Sequence, residues 1–216
     1  MQAPRGIVFD LDGTLVDTLA LVYEAFASIL EPFVGERWSP EQIAAHFGPP
    51  ESQILAKFIP AERLLDETER LYQYYREHPE RVVVFPEIKL LLDELCRCGV
   101  RTGLFTGKGR EGTRITLDQV GMAGSLEDIV TGDDTVCPKP HPEGLLSLIE
   151  AWQLDPGAVW MVGDAAADIQ AGRGAGTVTV GVLWGTHRRE ALLEAAPDFV
   201  FETPREFLDF WRSSLS

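Results

Sequence analysis

The chain has 216 residues, of which 45% are hydrophobic, so it is long enough for one globular domain with or without an inserted second one. Its formal net charge is −15 at pH 7. Because a field of that sign repels nucleic-acid phosphates and anionic lipid headgroups, we expect neither a nucleic acid nor a membrane surface as a partner.

The three cysteines are Cys96, Cys98 and Cys137, an odd number without the spacing of a zinc site. The first residues lack the apolar stretch of a signal peptide, and no apolar run is long enough to span a bilayer. We therefore expect a reduced, cytoplasmic protein. Its oligomeric state is left open between a monomer and a homodimer.

Apolar runs rich in β-branched or aromatic residues predict six strands. They cover residues 6–11, 100–105, 128–130, 158–162, 177–183 and 198–201. Helical patterns lie between most of them, as at residues 86–98, where Leu90, Leu91 and Leu95 are expected on one face. This alternation predicts an α/β fold, a three-layer Rossmann-like parallel sheet with helices on both faces.

Residues 17–82 interrupt the alternation and contain no convincing buried strand. Ser39-Pro40-Glu41-Gln42 has the pattern of an N-terminal capping box with proline at the first helical position. Residues 62–78 are rich in helix formers. We interpret residues 17–82 as a helical cap that is inserted into a core formed by residues 1–16 and 83–216.

The first predicted strand is followed by the sequence Asp10-Leu11-Asp12-Gly13-Thr14-Leu15. Successive side chains of an extended chain point to opposite faces, so Asp10 and Asp12 share one face if the strand continues that far. Gly13 then permits a sharp turn. Paired acids before a glycine also occur in helix caps and calcium loops. This motif therefore indicates a function only in combination with the later motifs of the chain.

Two later motifs offer groups that bind phosphate. Thr106-Gly107-Lys108 follows the second apolar run, where a phosphate would meet backbone N–H groups near a helix start. Lys139 stands among Pro138, Pro140 and Pro142, which restrict its backbone. A lysine with a restricted backbone is suited to bind an anion at a fixed position.

A last motif supplies further carboxylates. A third apolar run ends in Gly163-Asp164, and Asp168 follows four residues later, within about one helical turn. In a parallel sheet, ligands bind beyond the carboxyl ends of the strands. Asp10, Thr106 and Asp164 all occupy such positions, which predicts a single site.

In this order, the motifs resemble those of the haloacid dehalogenase (HAD) superfamily of aspartate-nucleophile phosphatases, in its phosphoglycolate-phosphatase-like branch. The resemblance extends over nearly the whole chain, to Gly181-Val182-Leu183-Trp184-Gly185 at the end of the fifth predicted strand. It implies a helical cap that closes over the active site. It also implies a Mg²⁺-dependent phosphatase acting on a small phosphate monoester, a small phosphorylated metabolite for which 2-phosphoglycolate is the first candidate.

The resemblance assigns roles to the first two acids and to the phosphate-binding groups. Asp10 would attack phosphorus and form an aspartyl-phosphate, while Asp12 would protonate the leaving alcohol and later deprotonate the attacking water. Thr106, Gly107 and Lys139 would bind the phosphoryl group. Many relatives carry serine or asparagine where Gly107 stands, so one side-chain contact is expected to be missing.

The implied metal ligands are Asp10, the backbone carbonyl of Asp12, and Asp164, oxygen donors of the kind that Mg²⁺ prefers. Asp168 is expected either to ligate the metal directly or to orient the site. Lys108 is a possible additional positive charge, which a phosphorylated substrate needs in so acidic a protein.

Two other functions remain open at this point. A sugar phosphomutase of the same fold would use the same residues and would shield the aspartyl-phosphate from water until a sugar arrives. A non-catalytic regulatory module would bind a phosphorylated metabolite without turnover, although such proteins usually lose a reacting group. A dehalogenase would need neither Asp12 nor Asp164, so their presence argues against that reaction.

Overall fold

The computed structural model describes residues 3–185 and 188–214. In chain order the strands are β1 (Gly6–Phe9), β2 (Val16–Asp17), β3 (Val83–Val84), β4 (Arg101–Phe105), β5 (Asp128–Val130), β6 (Val159–Gly163), β7 (Val178–Val182) and β8 (Phe199–Phe201). Six of them form one sheet in the order β5-β4-β1-β6-β7-β8, in which all neighbours are parallel.

The helices surround this sheet and fill the interval between β2 and β3. They are α1 (Leu19–Val34), α2 (Pro40–Ala44), α3 (Glu51–Leu55), α4 (Ala61–Glu77), α5 (Pro86–Arg97), α6 (Arg110–Val120), α7 (Glu143–Trp152), α8 (Ala166–Ala175), α9 (Arg189–Glu194) and α10 (Pro204–Ser213). Among the described residues, none of these helices is both long and apolar enough to cross a bilayer.

Side chains of the central strands alternate between two buried clusters, as extended chains require. Ile7 and Phe9 of β1 pack in the cluster that contains residues of α5 and α10, whereas Val8 packs in the cluster formed with α7 and α8. In β6, Trp160 belongs to the first cluster and Met161 to the second. The sheet is therefore covered on both faces, and the predicted three-layer α/β fold is confirmed.

The first strand is shorter than predicted. It ends at Phe9, whereas the sequence indicated a strand to residue 11. Beyond Phe9 the backbone N–H of Asp10 still donates to the Val162 carbonyl at 2.9 Å, and the chain then turns so that the Leu15 N–H donates to the Leu11 carbonyl at 3.0 Å. A turn, and not a continuous strand, therefore brings Asp10 and Asp12 to the same region.

The apolar face of α5 also differs from the prediction. Leu90 is 44% exposed, whereas Leu91 and Leu95 are buried as expected. The buried positions of this helix are Ile88, Leu91, Leu92 and Leu95, which follow the spacing i, i+3, i+4, i+7 of one helical face. Leu90 lies outside that stripe because each residue turns the helix by about 100°.

Between β2 and β3 the chain is helical, and the two strands pair antiparallel with Val16 opposite Val84. The capping box at Ser39 is present, with its side chain accepting from the Gln42 N–H. Helices α1 to α4 supply most of a further hydrophobic cluster, which also includes Ile115 of α6. This largely separate cluster supports the proposed division into a cap of residues 17–82 and a core of residues 1–16 and 83–216.

The connectivity of the sheet creates a crevice beside β1. From β1 the chain runs outward through β4 to β5, and it then returns to β6 on the other side of β1. Loops at the carboxyl ends of β1 and β6 therefore lead away from each other. Such a switch point is where open α/β sheets bind ligands.

Candidate active site

The carboxyl ends of three neighbouring strands present the residues singled out in the sequence. Asp10 follows β1, Thr106 follows β4 and Asp164 follows β6, and all three are buried. Lys139 comes from the loop before α7, and Asp168 lies in the first turn of α8. The fold thus gathers residues that are distant in sequence, such as Thr14 and Asp164, which are 150 positions apart and joined by a hydrogen bond of 3.3 Å from the Thr14 hydroxyl.

Lys139 contacts two of the acids. Its Nζ donates to Asp10 Oδ1 at 2.8 Å and to Asp168 Oδ1 at 2.6 Å, and it also donates to the Phe105 carbonyl at 3.1 Å. Burial by itself would lower the pKa of Lys139, but Asp10 and Asp168 raise it above its usual value. The ammonium therefore stays charged beside Asp10.

Three buried carboxylates lie in the neighbourhood of this one lysine. Oxygens of Asp10, Asp164 and Asp168 lie within 4.8 Å of one another. Burial, together with the neighbouring acid Asp168, raises the pKa of Asp10 to about 7 against the opposing effect of Lys139. Burial and the charges of Asp10 and Asp168 likewise raise the pKa of Asp164 well above its ordinary value. The cluster has more negative charge than Lys139 neutralises, which fits a site for a hard cation.

Both carboxylate oxygens of Asp168 already have donors within the protein. Oδ1 accepts from Lys139, and Oδ2 accepts from the Ala165 N–H at 3.0 Å. The side chain is fully buried at the start of α8, where the helix dipole favours a negative charge. Of the two roles that the sequence left open for Asp168, these contacts favour orientation of Lys139 over direct ligation.

Asp12 has a separate set of partners. The Thr18 hydroxyl donates to Asp12 Oδ1, and Lys108 Nζ lies 3.3 Å from Oδ1 and 3.5 Å from Oδ2. The Asp12 side chain is 22% exposed, more than that of Asp10 at 12%. Sequence analysis did not identify Thr18 as a site residue, and it assigned Lys108 no partner.

Gly107 lies against the cap. A Cβ added at Gly107 would come within 2.4 Å of the Gly48 carbonyl oxygen, a backbone atom. The neighbouring Thr106 hydroxyl accepts from the Lys108 N–H at 3.2 Å. The close approach of Gly48 gives a physical reason for glycine at this position.

We expect Gly107→Ala to displace the cap from the core, because the Gly48 carbonyl would have to move to admit the new methyl group. The change should lower kcat/KM for any phosphate ester about tenfold through a misplaced cap, a small displacement having a large effect on reaction geometry. Steady-state kinetics would measure it. Gly124→Ala is the matched control, since its Cβ would meet no atom within 4 Å, and equal activities of the two variants would contradict the expectation.

Glu51 of the cap is a site residue that the sequence did not reveal. Its Oε2 accepts from the Gly109 N–H at 2.7 Å, and its Oε1 lies 3.7 Å from Lys108 Nζ. Burial raises the pKa of Glu51, and Lys108 opposes that effect. Its one sequence signal is its place after Gly48-Pro49-Pro50, which indicates a turn and no particular chemistry.

The chain belongs to the haloacid dehalogenase-like hydrolases, whose family model matches residues 7–182. Two relatives are the pyrophosphatases PpaX of Bacillus velezensis and Bacillus pumilus. The first is 32% identical over 204 residues and the second 33% over 207, each match covering 94% of both chains. The expected superfamily and a phosphatase-type enzyme are thereby confirmed.

Solved structures share the fold over almost their full length. A predicted phosphoglycolate phosphatase from Haemophilus somnus superposes with a TM-score of 0.84 at 24% identity, covering 97% of this chain and 99% of that one. A β-phosphoglucomutase from Clostridium difficile gives a TM-score of 0.82 at 20% identity, covering 98% and 96%. At these identities the likeness establishes the fold.

Proposed function

We propose that the protein is a Mg²⁺-dependent phosphatase that hydrolyses a small phosphate monoester through an aspartyl-phosphate on Asp10. The observation that carries this proposal is the position of Asp10. Its carboxylate lies at the switch point of the sheet, 2.8 Å from the Lys139 ammonium and beside the buried Asp164. A buried carboxylate held by a lysine where ligands bind is suited to act as a nucleophile.

In the first step an Asp10 oxygen forms a bond to phosphorus while the bond from phosphorus to the ester oxygen breaks. Lys139 would neutralise negative charge shared by Asp10 and the phosphoryl group. The Thr106 hydroxyl and the Gly107 N–H would donate to phosphoryl oxygens. These assignments agree with the burial of Thr106 and with its place at the end of β4.

Asp12 would serve as the general acid and then as the general base. It gives its proton to the leaving alcohol in the first step, and it takes a proton from the water that attacks the aspartyl-phosphate in the second. Its partners differ from those of Asp10, since Thr18 and Lys108 hold its carboxylate. Two acids in distinct surroundings support two distinct roles.

Asp10, Asp164 and the backbone carbonyl of Asp12 would hold the metal ion. When bound, Mg²⁺ would supply positive charge for the phosphoryl oxygens and offset the crowded carboxylates. Burial first, and then the neighbouring carboxylates, raise the pKa values of Asp10 and Asp164, and a bound cation would oppose both effects. The donor set consists of oxygen atoms, which suits Mg²⁺ and not a softer metal.

The substrate is a small phosphorylated metabolite, and 2-phosphoglycolate is the first candidate. Pyrophosphate is a second candidate, because the relatives at 32% and 33% identity are named pyrophosphatases. A sugar phosphomutase is the alternative reaction that the fold also accommodates, since a structural neighbour is a β-phosphoglucomutase. For that reaction, phosphate would be transferred to a second sugar and not to water.

Phosphate release across a panel of phosphorylated metabolites, with Mg²⁺ and with chelator, tests the proposal. The panel contains 2-phosphoglycolate, pyrophosphate, and glucose 1- and 6-phosphates. We expect Mg²⁺-dependent release that is fastest from one small ester. Preferential pyrophosphate hydrolysis would replace the ester assignment, isomerisation of the sugar phosphates would indicate a mutase, and absence of any turnover would contradict an enzymatic role.

A further inference from the structure

Lys108 lies between the core and the cap. It belongs to the loop after β4, and its side chain is only 3% exposed. On the core side its Nζ lies 3.3 Å from Asp12 Oδ1. On the cap side it lies 3.7 Å from Glu51 Oε1 and 4.7 Å from the centre of the Tyr75 ring. The ammonium thus has one partner from the core and two from the cap.

The cap places Glu51 at this point through close contacts with the core. Glu51 is 4% exposed, and its second oxygen accepts from the Gly109 N–H. A Cβ at Gly112 would come within 2.3 Å of Glu51 Oε1, and one at Gly132 within 2.8 Å of the Pro50 ring. Small residues of the core therefore admit the cap segment that begins α3.

Glu51 retains an unused acceptor. Among the described residues, its Oε1 has no hydrogen-bond partner and makes only the 3.7 Å ion pair with Lys108. A buried carboxylate oxygen without a donor is costly unless a charge compensates it. Lys108 supplies that charge. Its attraction to Glu51 Oε1 therefore holds the ammonium at a defined position beside Asp12.

We infer that Glu51 is a positioning residue that acts through Lys108 to hold Asp12 for proton transfer to the leaving group. The inference rests on the proposed function, in which Asp12 is the general acid. Lys108 keeps both cap contacts only while the cap is seated on the core. The cap thereby completes the arrangement around Asp12 when it closes over a substrate.

Leaving groups of different basicity test this role. An alkyl phosphate needs a proton on its leaving oxygen, whereas 4-nitrophenolate leaves without one. In each case kcat/KM reports the steps up to phosphoryl transfer to Asp10. General acids contribute about 10²- to 10⁴-fold, so Glu51→Gln should lower kcat/KM about 10- to 100-fold for 2-phosphoglycolate, or for the alkyl phosphate hydrolysed fastest. For 4-nitrophenyl phosphate the loss should stay below about threefold.

Glu67→Gln is the matched control. Glu67 is also a buried glutamate of the cap, 1% exposed, but its ion pairs are with Arg63 and Arg70 of the same helix. This variant should change the two esters alike. Because Glu51→Gln and Glu67→Gln remove the same charge from the same part of the chain, the comparison separates positioning of Asp12 from stability of the cap.

A double variant tests whether Glu51 acts through Lys108. Residues in one interaction network have non-additive effects, so Glu51→Gln should change the alkyl-ester kcat/KM of a Lys108→Met protein less than about twofold. Equal losses for both esters in Glu51→Gln, no loss, or additive effects in the double variant would overturn the inference and leave the phosphatase in place. A wild-type protein that hydrolyses neither ester would remove the proposed function and this inference with it.

Discussion

Asp10→Asn should abolish hydrolysis of every substrate of the wild-type protein, with a loss of about 10⁴-fold or more in kcat. The amide keeps the size of the side chain and an oxygen that accepts from Lys139, which lies 2.8 Å from the carboxylate. It lacks the nucleophilic oxygen that would form the aspartyl-phosphate. The expected result is therefore a folded, inactive protein, measured by phosphate release and by thermal unfolding.

Asp66→Asn is a suitable control, because Asp66 is an exposed residue of α4 and the same change there should leave activity intact.

Trapping of the aspartyl-phosphate provides a second measurement. Brief incubation with a ³²P-labelled substrate followed by acid quench should label the wild-type protein and not Asp10→Asn. Undiminished turnover by Asp10→Asn would show that the nucleophile has been assigned to the wrong residue.

Asp164→Asn should have opposite effects on activity and on stability. Loss of this proposed metal ligand should lower Mg²⁺-dependent kcat by about 100-fold or more. In chelator, the free energy of unfolding should rise by about 1–2 kcal/mol, because one of three crowded carboxylates is gone. The asparagine oxygen still accepts from the Thr14 hydroxyl, which donates to Asp164 at 3.3 Å in the wild-type protein. Kinetics and denaturant unfolding measure the two effects.

The crowding of these carboxylates should also make the free energy of unfolding depend on pH. The pKa of Asp10 is raised from 3.8 to about 7, mainly by burial, so the folded protein retains a proton that the unfolded chain has lost. Stability from this group is present at low pH and is lost as the pH rises from about 4 to about 7. Asp164→Asn should make that decline shallower in chelator. A variant less stable than the wild type throughout this range would contradict the charge-crowding account.

Much of the site could be predicted because its motifs are local. Apolar runs predicted the strands. Three of these strands are followed directly by a residue of the candidate site, namely Asp10, Thr106 and Asp164. The rule that parallel strands share an edge then placed these residues together. Lys139 was also identified from its immediate neighbours, the prolines on either side. Its contact with Asp10 depends on the conformation of the loop before α7.

Local patterns failed where the chain leaves regular structure or contacts a distant segment. The strand that was expected to reach residue 11 ends at Phe9, because an apolar run does not reveal where a backbone begins to turn. Leu90 was assigned to the buried face of α5, but three adjacent leucines fit more than one helical phase. Tertiary packing decided which face of the helix is buried, and that face contains apolar residues at the spacing i, i+3, i+4, i+7.

By itself, the sequence determined the six strands of the main sheet, the three-layer architecture and the principal acids of the site, since periodicity and motif spacing are properties of neighbouring residues. The tertiary structure decided which side chains meet. Lys108 lies 96 positions from Asp12 in sequence and binds it in space, and Glu51 reaches both Lys108 and Gly109 from the cap. Such contacts depend on how cap and core pack, where glycines such as Gly107 and Gly112 permit close approach, and no local pattern encodes that packing.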